Sequence, residues 1–137
     1  TSHREFWRHD PVAGGWTRLA DLPAPRDHAQ MVAHDGAIWL FGGFASGPLA
    51  PQPNRNAWRY DPTGNQWQAL PDMPRGRATG VALSVGGRIV LAGGLGPAED
   101  WLDRYDPATG TCLSNPARPV ACHPVKIEAG QVWIGIE

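Results

Sequence analysis

The chain is 137 residues long, enough for one compact domain, with 17 Gly, 14 Pro, 7 Trp and a formal net charge of −1. Its charged residues are scattered, which argues against a dedicated nucleic-acid surface, and no apolar stretch approaches the roughly 20 residues that cross a bilayer. Gly and Pro punctuate the chain so densely that no helical apolar period survives, and short apolar runs between turns predict an all-β fold.

In chain order, the first pattern is Trp7-Arg8-His9-Asp10-Pro11, with Trp16 six residues after the Asp and Leu19 three further on. Arg26 follows, 16 residues before the pair Gly42-Gly43 that ends the apolar run 38–41. Then the cycle restarts: Trp58-Arg59-Tyr60-Asp61-Pro62, Trp67 and Leu70, Arg77, the run 89–92 and Gly93-Gly94. A third copy, Asp103-Arg104-Tyr105-Asp106-Pro107, carries Cys112 where the others have Trp. The Asp-Pro pairs lie 51 and 45 residues apart, and the shared offsets define a true internal repeat.

Each element has a physical reason. The Asp before Pro suits the first position of a type I turn, and Pro presets φ at the next. Gly14, Gly64 and Gly110 are expected to supply the positive φ that reverses the chain. Asp35-Gly36 and Gly86-Gly87 predict tight hairpins. The runs 38–41 and 89–92 are apolar on consecutive residues, so both faces must be covered, as in stacked sheets. Cys112 and Cys122 fall on different strands of neighbouring units, which favours free thiols over a bridge.

An Arg before a strand, a hairpin, an apolar strand ending in Gly-Gly, then Tyr-Asp-Pro and a Trp six beyond the Asp together resemble the kelch repeat. The resemblance implies kelch-type β-propeller blades of four antiparallel strands. On that basis residues 1–22 are an outer half-blade, 26–74 and 75–116 are blades, and 118–137 are an inner half-blade. Three blades' worth of strands leave the ring incomplete in one chain, since propellers typically close with 4–8 blades. Two resolutions follow: this is part of a longer propeller chain, or two copies form a homodimer that closes a six-bladed ring. The chain opens on Thr1 and not on Met, and no charged-then-apolar leader is recognisable. Those are the features expected of a processed product or an excised segment.

The resemblance also says where a site would lie: on the loops at one face, where peptide-capturing kelch domains use Arg to grip acidic groups. Arg26 and Arg77 match the innermost-strand position; Val120 stands there in the third repeat, with Arg118 two residues earlier. Arg55 ends the long loop 44–55 and fits a second gripping role, because a guanidinium forks onto carboxylates. Equally, these Arg side chains fit a structural role, capping blade carbonyls or pairing with Asp27 and Asp72. Glu99 and Asp100 lie in the second post-glycine loop. With Asp103 and Glu128 they are the acidic candidates for proton transfer, as a sialic-acid mutarotase of the kelch class would require. No metal spacing occurs among the five His, and no nucleophile elbow or phosphate loop is present, so neither metal nor cofactor is expected. The expected role is a binding module for a protein, peptide or small polar ligand, with the mutarotase as the alternative.

Overall fold

The computed structural model describes residues 2–45, 52–95, 102–114, 125–128 and 131–134. The described residues form antiparallel strands and no helix. β1 (Trp7–His9) and β2 (Trp16–Arg18) make a two-stranded sheet. β3 (Gln30–His34), β4 (Ala37–Phe41), β5 (Ala57–Asp61) and β6 (Gln66–Leu70) make a four-stranded sheet in sequence order. β7 (Val81–Val85), β8 (Arg88–Ala92), β9 (Leu102–Asp106) and β10 (Thr111–Ser114) repeat it. β11 (Val125–Glu128) and β12 (Gln131–Ile134) form a final pair.

The turns follow from local chemistry. Asp10, Asp61 and Asp106 each accept a backbone N–H from two residues on: Val12, Thr63 and Ala108, at 2.9, 3.0 and 2.9 Å. Asp35-Gly36 and Gly86-Gly87 all have positive φ, as two-residue hairpin loops require. One expectation changes. Gly14 and Gly110 take the left-handed position four residues after their Asp, but in the second repeat Asn65 takes it, not Gly64. Asn65 is held there by its side chain: Oδ1 accepts the Tyr60 hydroxyl and the Ala20 N–H, both at 2.8 Å. Cys112 lies on β10, while Cys122 lies outside the described residues, as does the question of a bridge.

Strand alternation sends side chains to the two faces of each sheet. From the β3–β6 sheet, Ala37, Trp39, Phe41 and Ala57 meet Ile89, Leu91 and Tyr105 of the next sheet, with Met73 between them. Fully burying a side chain such as Phe41 or Leu91 contributes about 1.5–3 kcal/mol. The opposite face turns Leu40 and Trp58 toward Leu22. There Phe6 sets its ring edge-on to Tyr60 and Trp67, at 5.0 and 5.2 Å between centroids.

Main chain also joins the two four-stranded sheets directly. The Gly43 N–H donates to the Arg77 carbonyl at 2.9 Å, Arg77 N–H to the Asn54 carbonyl at 3.2 Å, and Thr79 N–H to the His28 carbonyl at 2.9 Å. Gly42 has φ +63°, and a Cβ there would collide with the Arg77 carbonyl oxygen. The glycine pair that ends β4 is therefore required by close backbone approach.

Candidate functional site

Arg26 and Arg77 sit at the end of the sheets where Gly42 and Gly43 meet the next sheet, yet neither side chain is open to solvent. Arg26 is 8% exposed. Its guanidinium lies over the Trp58 ring at 4.7 Å and donates to the Pro25 carbonyl and to Asn56 Oδ1. Burial lowers its pKa from the ordinary Arg value. Arg77 is wholly buried, donates to the Gly93 carbonyl at 3.3 Å, and forms an ion pair with Asp103. Carbonyl capping is thus present at both, but the acidic partner is Asp103, and neither Asp27 nor Asp72 pairs with them among the described residues.

Arg55 is exposed, and its Nε donates to the Met73 carbonyl at 2.7 Å. Arg4 makes the same bond to the Leu22 carbonyl at 2.9 Å, 51 residues earlier. The Nε of Arg55 is therefore spent on a repeat contact, and its terminal nitrogens remain at the surface. Arg26 and Arg77 thus turn their side chains into the protein, while Arg55 stays at the surface. Arg118 and Glu99 lie outside the described residues; Glu128 ends β11.

Two residues past each repeat arginine stand His28 and Thr79, with φ +52° and +62°. Both side chains are exposed, at the entry to β3 and β7. A positive φ is uncommon for any residue with a Cβ and strained for a β-branched one. Its recurrence 51 residues apart shows that the repeat imposes this conformation and leaves the side chain free to vary. His and Thr share no side-chain chemistry, so nothing in the sequence pairs these two positions as a site.

His28 belongs to a small polar cluster. Asp27 Oδ2 accepts the Ser2 hydroxyl at 2.8 Å, and Asp27 Oδ1 lies 3.0 Å from His28 Nδ1. The hydrogen bond from His28, then that from Ser2, lowers the Asp27 pKa from its ordinary value. The order of this cluster matters. Asp27 stands between Ser2 and His28, so the serine hydroxyl meets a carboxylate and not the imidazole, and the cluster does not have the order of a nucleophilic triad. It offers instead a carboxylate-oriented imidazole at the surface. Next to it, Asn56 links Arg26 to Asp72, donating to Asp72 Oδ1 at 3.2 Å. No group of three or more potential ligands is placed to hold a metal among the described residues. No helix of the described residues is long and apolar enough to cross a membrane.

Comparison with known proteins fits this architecture. Residues 25–74 match the Kelch motif. The chain is 33% identical over 97 residues to Kelch-like protein terF of Aspergillus terreus, covering 64% of this chain and 20% of that protein. It is 35% identical over 95 residues to the N-acetylneuraminate epimerase of Yersinia enterocolitica, covering 65% of this chain and 24% of that one. The chain thus spans about a quarter or less of the length of these curated relatives. Among solved structures, YjhT superposes with a TM-score of 0.73 over 96% of this chain and 51% of its own. At 21% identity that likeness is one of fold: stacked four-stranded blades of a β-propeller.

Proposed function

We propose that this chain, whose residues 25–74 match the Kelch motif, is a recognition module of a β-propeller. It binds a protein, peptide or small polar ligand at the end of the sheets where His28 and Thr79 emerge. The observation that carries the proposal is the shared left-handed backbone at 28 and 79. It costs strain and presents an exposed side chain at the same place in successive repeats. Arg26 and Arg77 act beneath this surface by holding the loop ends, and Arg55 at the edge supplies a cation. Arg118 and Glu99 belong to the same proposed surface through their positions in the repeat.

An acidic peptide library, read by fluorescence polarisation, tests this reading. His28→Ala and Arg55→Ala should each weaken the selected peptides several-fold, while Arg88→Ala, on β8, should not. A library without binders, or binding indifferent to both substitutions, would reject it.

The epimerase relatives support a second reading, in which the propeller catalyses mutarotation of a sugar acid. The Asp27–His28 pair then serves as the proton-transfer group. Mutarotation no faster than in buffer would end that reading.

The sheets also need neighbours. The two four-stranded sheets and two strand pairs of the described residues fall short of the 4–8 blades of a typical propeller, and a second copy or further repeats of the same chain would each supply the rest. Light scattering behind a sizing column separates the two: a clean dimer supports closure by a second copy, and a monomer or polydisperse smear supports a longer chain.

A further inference from the structure

A cleft of about 490 Å3 opens in the seam between the two four-stranded sheets, rimmed by Asp35 and by the turn from Asp106 to Gly110. These turns lie at the far end of β3 and β4 from Gly42 and Gly43, because His34 pairs with Ala37 while Gln30 pairs with Phe41. The cleft is therefore separate from the surface carrying His28 and Thr79. Its size falls within the roughly 300–1,000 Å3 of small-molecule sites.

Arg59 projects into it. The guanidinium rests over the Trp39 ring at 5.8 Å and makes no ion pair or hydrogen bond with the described residues. Asp35 and Asp106 line the same cleft, also without a cationic partner among the described residues. Asp106 spends Oδ1 on the Ala108 N–H, which leaves Oδ2. One cation and two carboxylates thus share a cleft without neutralising each other. Arg59 and Asp106 belong to positions that recur in the repeat, as Arg8 and Arg104 and as Asp10 and Asp61. What is particular to this seam is the wall around them: in the next sheet, 51 residues on, Val85 and Val90 stand where His34 and Trp39 stand here.

We infer that this cleft is a binding site for a small zwitterion, an amino acid or short peptide. Its carboxylate engages Arg59 and its ammonium sits between Asp35 and Asp106. Leu70 and Pro71 supply an apolar wall for a side chain. A neutral sugar is disfavoured because Trp39 is only 4% exposed, with Arg59 over it, so no aromatic face is open for stacking.

The test titrates the chain with alanyl-leucine, its N-acetyl form and its C-terminal amide at neutral pH, following the Arg59 Nε–H and Thr109 amide resonances by NMR. Each blocked form should bind about tenfold more weakly than the zwitterion, the loss of one charge-assisted contact. Arg59→Gln should abolish the difference between acid and amide. Asp35→Asn should reduce the difference between free and acetylated amine, and Asn tolerates the left-handed φ of +46° at that site. Unchanged resonances at millimolar dipeptide would overturn the inference. So would equal binding of all three forms, or shifts centred on His28 and Thr79. Maltose moving the same resonances would replace the zwitterion with a sugar.

Discussion

Trp58 and Asp103 occupy the same position of the repeat, 45 residues apart, and each is the partner of a buried arginine. Arg26 lies over the Trp58 ring, whereas Arg77 is ion-paired with Asp103. A π-face and a carboxylate are two solutions to one problem, a guanidinium removed from water. Asp103→Asn should cost about 3–5 kcal/mol, because it leaves the Arg77 charge buried without its counter-ion. Trp58→Phe keeps a ring under Arg26 and should cost less, about 1–2 kcal/mol. Urea denaturation of the two variants beside the parent protein measures the contrast.

The glycine pair offers a second comparison. Gly42→Ala meets both a left-handed φ and the Arg77 carbonyl oxygen, whereas Gly87→Ala meets only the φ, with nothing within 4 Å. Strain alone should cost about 1–2 kcal/mol at Gly87. The Gly42 variant should lose clearly more, because its obstacle is backbone. Thermal unfolding of both should reproduce this order.

Asn65 ties β1 and β2 to the neighbouring sheet through its bond to Ala20. Asn65→Ala leaves the buried Tyr60 hydroxyl without its acceptor and should cost about 1–3 kcal/mol. Amide exchange across residues 7–18 should accelerate more than exchange in β3 or β4.

Tyr60 gives a pH dependence. Burial, the largest cause, raises its pKa above the ordinary 10.0. The folded state therefore holds this proton more tightly than the unfolded chain does. The resulting stability is present in full below pH 10.0 and is lost as pH climbs from there through the folded pKa. Tyr60→Phe should show a shallower alkaline fall in Tm, and tyrosinate absorbance of the parent should rise in step with its unfolding.

Much of the fold was legible because repeated local chemistry specifies it. The Asp turns, the two-residue hairpins and the glycine pairs all follow from offsets visible in the chain. The choice of Asn65 over Gly64 was not legible, because Ala20, 45 residues away, helps to decide it. Arg26 and Arg77 stood out by their shared offset, but burial depends on which strand faces which across the seam. The kinship of His28 with Thr79 was hidden for the opposite reason. Their shared property is a backbone angle, and no side-chain pattern announces it.

The main-chain bonds from Gly43 to Arg77 and from Thr79 to His28 have a consequence for the whole array. They use atoms that nearly every residue possesses, so this part of the joint between one blade and the next does not depend on which side chains stand at its far end. A seam furnished with His34 and Trp39 in one place and with Val85 and Val90 in the next can then be an insert in a generic mount, its chemistry changing while the main-chain joint stays the same.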